Sequence, residues 1–313
     1  MKLLSLITRP LLLFIPLALC PLSHAEASTN HRILISGCGL GQIAIVGINQ
    51  EIEWSYPIAD EVSDAVLLPN GNILHSVKTE GIQEIKPNYT SGKGAEIIWK
   101  WTAPLLDGKR GEVHTCQPLP NQKILIGESH DNKSFIREID RKTGNTLKTI
   151  ELPNLGGAHS TFRQIRKTNA GTYLVTQQQN GGKALEFDSS GKLIRSFPDG
   201  RYVALRLPNG NTLIACGDAH RIIEVSPDHQ IVWEVKQNDL PNISLGFVAG
   251  LQRLPNGNTI LCNWGGHGNT KGPAVLEITP DKKVIWSIAP SIPNKVSSIQ
   301  ILDPKIKIET PVR

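Results

Sequence analysis

The sequence predicts an all-β chain folded as a six-bladed β-propeller, with four strands per blade and one blade closed by strands from both ends. Three observations predict it: a recurring turn phrase, a strand pattern that repeats with it, and termini whose strands complete one another.

The turn phrase reads Leu68-Pro-Asn-Gly-Asn72 and returns as Leu207-Pro-Asn-Gly-Asn211 and Leu254-Pro-Asn-Gly-Asn258. Decayed copies stand at Leu119-Pro-Asn-Gln122, Thr168-Asn-Ala-Gly171 and Leu302-Asp-Pro304. Proline presets the turn, and Asn and Gly tolerate positive φ. Apolar runs flank each phrase, such as Val203 to Leu207 and Thr212 to Cys216, so each marks a hairpin. Anchors at 68, 119, 168, 207, 254 and 302 are 39 to 51 residues apart. That is the period of a four-stranded propeller blade.

After each hairpin comes a strand with a glutamate: Glu84, Glu138, Glu186, Glu224 and Glu277. A carboxylate that recurs with every blade serves blade structure rather than one reaction centre. A fourth strand follows, with Trp54, Trp99, Trp233 or Trp286 in four of the repeats. Val296 to Ile301 reads as a lone first strand, while Arg32 to Ser36, Gln42 to Val46 and Glu51 to Tyr56 read as second, third and fourth strands. Joining them makes the sixth blade and leaves no open edge.

The LPNGN hairpin together with a later Glu-Ile and Ile-Val-Trp strand resembles the pyrroloquinoline-quinone-repeat-like and bacterial arylsulfotransferase-like propellers. The likeness covers nearly all of residues 32–302 and is specific for the blade, not for chemistry. It implies a tryptophan wedged between neighbouring blades. The arylsulfotransferases would add a histidine nucleophile in the central channel, supported by His and Arg. The quinone dehydrogenases would add a calcium site and ring-stacking residues, a set not discernible here, so the cofactor stays unassigned.

Residues 1–25 read as a signal peptide: Lys2 and Arg9, an apolar run from Leu11 to Cys20, and small residues Ser23 and Ala25 before the cut. The run is too short for a membrane span. A single propeller domain, 26–313, would then be periplasmic or secreted, with lipid tethering through Cys20 left open. The formal charge of +5 is mild and dispersed, which argues against a nucleic-acid partner. Cys38, Cys116, Cys216 and Cys262 fall in different repeats without a CxxC pair and are expected to be buried, unpaired thiols.

Topology points to the candidate site. The LPNGN turns occupy one face, so loops entering first strands and loops joining second to third strands crowd the other, around the channel mouth. Histidines collect there. His114 and His159, with Arg163, are the candidate catalytic groups. His130, His220 and His267, with Tyr202 and Trp264, are the candidate ligand contacts. Imidazoles in a channel suit a transition metal, acid–base or nucleophilic work, or plain hydrogen bonding. No HxH or HExxH motif selects the first. Trp264, in a Gly-rich loop, suits stacking on a ring. Gly37-Cys38-Gly39-Leu40-Gly41 reads as a channel loop, because no helix follows to make a phosphate cradle. The functional expectation is an exported propeller binding a small polar molecule or glycan, or alternatively a protein partner. The other expectation is a transferase or lyase using a channel histidine, with or without a metal.

Overall fold

A computed structural model describes residues 30–302 apart from positions 154, 180 and 269. The expected signal peptide, Cys20 and the last half-repeat beyond Leu302 lie outside the described residues. Six four-stranded antiparallel sheets form the six blades. Their innermost strands are Ala65–Leu67, Glu112–Leu119, Phe162–Lys167, Ala204–Arg206, Phe247–Arg253 and Ser298–Ile301. The last of these pairs antiparallel with Ile33–Ser36, so the sixth blade is built from both ends of the chain. A two-stranded hairpin, Leu105–Leu106 with Lys109–Arg110, is added between the first and second blades. The only helical element among the described residues is one 3-10 turn, Ala158–Ser160. No helix there is long and apolar enough to cross a membrane.

The repeating glutamates tie neighbouring blades together. Each accepts a hydrogen bond from the blade that follows: Glu84 from Arg141, Glu138 from Lys167 and Tyr173, Glu186 from Arg206, Glu224 from Arg253, and Glu277 from His31. Within their own blades, Glu84, Glu224 and Glu277 also accept from the last Asn of the turn phrase, Asn72, Asn211 and Asn258. The turn signal and the strand signal are thus two ends of one contact. In the sixth blade Ile45 occupies the glutamate's place, opposite Leu34 and Trp54. There the seam is apolar, with Leu67 packed on a cluster containing Ile45, Trp54 and Ile73. The tryptophans also reach across seams: Trp54 Nε1 donates to Gly94 O, and Trp233 Nε1 to Pro280 O. Glu224→Ala strips Arg253 and Asn211 of their acceptor and is expected to cost about 2 kcal/mol in urea unfolding. Among the described residues Cys116, Cys216 and Cys262 are buried and Cys38 is half-buried.

Candidate functional site

A cavity of about 220 Å³ opens at the channel mouth on the face opposite the LPNGN turns. One wall is aromatic: Phe247, Trp264 and His267 meet edge to face, with ring centroids 4.9–5.5 Å apart. A polar wall is made of Glu61, His159, Arg163, Gln178, Gln179 and Arg201. Tyr202, Cys38, Asp218 and Ser297 complete the lining. Trp264 is held by Nε1 donating to Cys38 O and by Lys295 Nζ 5.6 Å from its ring centre. The Gly-rich loop around Cys38 is therefore a channel loop, as its sequence suggested.

Beneath the polar wall six side chains close a hydrogen-bonded and ion-paired ring. Arg163 Nη2 donates to His159 Nε2 (3.0 Å), and His159 Nδ1 to Glu112 Oε2 (2.9 Å). The same oxygen accepts from His114 Nε2 (2.9 Å). His114 Nδ1 lies 3.0 Å from Ser63 Oγ, which lies 2.9 Å from Glu61 Oε1. Glu61 returns to Arg163 Nε at 3.5 Å.

Proton counting fixes the ring. A guanidinium only donates, so His159 Nε2 accepts and its proton sits on Nδ1. Burial pushes His114 below the ordinary histidine value, against the hydrogen bond to Glu112. Glu112 resists its own burial because both histidines donate to it, and its carboxyl stays well below the usual carboxylate range. Neutral His114 therefore gives its one proton to Glu112, which leaves Nδ1 an acceptor facing the Ser63 hydroxyl. Glu61 is likewise lowered despite burial, through Arg163 first, then His114 and the Ser63 hydroxyl. Ser63 has a single proton, so it serves either His114 or Glu61. Burial, then Glu61, raises the Cys38 thiol, which disfavours a reactive thiolate.

One oxygen of Glu112 and nitrogens of His114 and His159 lie within 4.8 Å of one another, a donor set zinc accepts in general. The ring does not suit a cation. Metal on His159 Nδ1 would move its proton to Nε2, facing the Arg163 N–H 3.0 Å away.

Below the cavity, Tyr202 Oη and Gln164 Nε2 both donate to Ser63 O. Next comes a buried ion pair: Asp64 accepts from Arg166 Nη1 (2.8 Å) and Nη2 (3.0 Å), and from Cys116 N (3.1 Å). This pair also lines a larger cavity of about 740 Å³ on the turn face, so it plugs the channel between the two.

The expected site residues divide. His159, Arg163, Tyr202, Trp264 and His267 converge on the mouth cavity. His114 stands behind it, fully buried, with Nδ1 3.9 Å from Glu61 Oε1 and its ring edge-on to His159, both of which line the cavity. His130 and His220 do not line the cavity. His130 is turned into its own blade by Glu128 at 2.9 Å, with its ring edge-on to Phe135. His220 is spent on Gly246 O at 2.9 Å, bracing its loop. Glu61, Glu112, Arg201, Asp218 and Phe247 were absent from the sequence-based candidates. Glu61 and Arg201 sit in loops entering first strands, and Asp218 joins a second strand to a third. The topological rule that found the histidines would have found these three without the restriction to imidazoles.

These features define a class: a six-bladed propeller with a polar cavity at one mouth of a plugged channel. No family model matches the sequence, and no curated protein matches it. Among solved structures, the chain is 30% identical to a protein of unknown function from Bacteroides caccae, with a TM-score of 0.74 over 86% of this chain and 98% of that one. It belongs to the same family as that protein. It also resembles virginiamycin B lyase from Staphylococcus aureus, solved as a catalytically inactive variant with quinupristin. There identity is 14% and the TM-score 0.54, over 85% of this chain and 87% of that one. A streptogramin B lyase is 12% identical, with a TM-score of 0.53 over 86% of each chain. At such identities the likeness speaks for the propeller fold alone.

Proposed function

We propose that the mouth cavity binds a small polar molecule of one ring, such as a sugar unit of a glycan. The carrying observation is the mixed lining: Trp264 and Phe247 offer an apolar face, while Arg163, Arg201, Gln178 and Asp218 offer polar groups around it. Edge and face contacts to aromatic side chains are how proteins hold ring ligands. The volume of about 220 Å³ lies below the ~300–1,000 Å³ of drug-sized sites, which favours a single ring over a large cofactor. The signal-like first 25 residues support binding in the periplasm or outside the cell. A thermal-shift panel of monosaccharides and small aryl compounds tests the reading. A binder at a hundredfold excess over its Kd adds about 2.7 kcal/mol to stability. Trp264→Ala is expected to weaken that binder ten- to a hundredfold, about 1.4–2.7 kcal/mol. An unaltered shift in Trp264→Ala would remove the aromatic wall from the site.

A second reading, a lyase or transferase, rests on His267. Its Nδ1 donates to Asp218 at 2.9 Å, which leaves Nε2 as the basic nitrogen of an exposed ring on the cavity wall. A carboxylate-oriented imidazole is the arrangement of a general base or nucleophile. His267→Gln separates the readings. An enzyme loses turnover of a bound compound by at least about a hundredfold while binding stays within a few-fold. A pure binder shows no turnover with either form.

A further inference from the structure

We propose that the ring held at the channel mouth carries a carboxylate, and that Arg201 is the residue that receives it. The inference rests on the binding reading above and names its ligand class.

Arg201 differs from the other charged residues of the cavity. Glu61 faces Arg163 at 3.5 Å and Lys78 at 3.8 Å, and Asp218 faces His267 at 2.9 Å. Arg201 has no carboxylate within ion-pair distance among the described residues. Nη1 donates to Gln178 O at 2.6 Å, and Nε is buried with no hydrogen-bond partner there. A guanidinium carries five N–H donors, so most of this one's capacity is unspent, with Nε out of reach of water. Charged groups are not left so without cause, because a cation removed from water needs an anion or a full set of acceptors.

The chain around Arg201 is shaped to hold it. Gly182 and Gly217 flank the side chain at φ +64° and +54°. A Cβ at Gly182 would lie 2.7 Å from Arg201 Cγ and 2.8 Å from Nε. A Cβ at Gly217 would lie 2.7 Å from Arg201 Cβ and 2.8 Å from the Phe247 ring. Both glycines thus supply backbone freedom and the space through which the guanidinium passes to the cavity. The Gln178 contact anchors one edge of the fork. The planar, delocalised fork matches a carboxylate in shape and charge. The neighbouring Phe247 and Trp264 then hold the body of the ring, which makes a uronic acid the fitting probe class.

Calorimetric titration of the mature protein with galacturonate, galactose and methyl galacturonate tests this. Galacturonate is expected to bind at least about tenfold tighter than the neutral sugar or the ester, with the preference shrinking as salt rises. Arg201→Gln is expected to reduce the acid-over-neutral ratio to about one, and Arg201→Lys to leave an intermediate ratio, since it keeps charge and loses the fork. Arg201→Lys also serves where the Gln variant fails to fold. Equal affinity for acid and neutral rings, or a preference that survives in Arg201→Gln, overturns the assignment to Arg201 and leaves the binding site standing. Failure of acid and neutral rings alike overturns the sugar-site reading itself, and the carboxylate inference with it.

Discussion

Asp64→Ala is expected to destabilise the protein by about 3–5 kcal/mol. Asp64 is fully buried and is the acceptor for both terminal nitrogens of Arg166 as well as for Cys116 N. Removing it strips a buried guanidinium of its carboxylate, and the Coulomb gain that offset desolvation is lost while the desolvation stays. A second consequence follows from position. Gln164 Nε2 bridges Ser63 O and Asp64 Oδ1, so the same substitution loosens the floor of the mouth cavity. Urea unfolding reads the loss. Replacing both members, Asp64→Ala with Arg166→Met, is expected to recover most of it, because the double variant leaves no charge to desolvate. A single variant within 1 kcal/mol of wild type would mean that water reaches the channel plug.

Acid is expected to weaken the fold by about 3 kcal/mol between pH 6.5 and 4 through His75 alone. This residue stands on the second strand of the first blade, fully buried, with Nδ1 donating to Ser76 O at 3.1 Å. Burial pushes its pKa down from 6.5 to about 4, and the backbone hydrogen bond opposes this only in part. The unfolded chain therefore takes up the proton at higher pH than the folded one. Stability is complete above pH 6.5, declines as pH falls to about 4, and gains no further loss from this group below that. His114, lowered in the same direction by burial, adds to the slope. Glu112 and Glu61 act later: their stabilisation is present above the ordinary carboxylate value and is lost only as pH falls through their lowered values. His75→Leu is expected to flatten the decline between pH 6.5 and 4 without removing the steep loss in stronger acid. An unchanged slope in that variant would assign the dependence elsewhere.

Much of the fold was legible because the blade is specified locally. Pro, Asn and Gly fix the hairpin, and the glutamate on the next strand of the blade is read by an Asn of the same turn. Cross-seam partners were less legible. Lys167, Arg206 and Arg253 each directly precede the turn phrase, but Arg141 and His31 come from other positions in their blades, so the period announces only part of the set. The site was legible only by face. Membership of a mouth loop does not say how far a side chain lies from the axis, and His130 and His220 were drawn into local contacts instead. The ring of Arg163, His159, Glu112, His114, Ser63 and Glu61 joins residues up to about a hundred positions apart, and it exists only once three blades are assembled. Arg201 carries no motif at all. Its role emerges from what it lacks.

The most direct test of binding at the channel mouth is the indole N–H resonance of Trp264 in a nitrogen-15 NMR titration, assigned with Trp264→Phe. With galacturonate or galactose as the probe, this signal is expected to shift in a saturable way, while those of Trp99, Trp233 and Trp286 on the outer strands stay in place. A saturable shift on an outer-strand tryptophan with Trp264 unmoved would contradict a ligand site at the channel mouth.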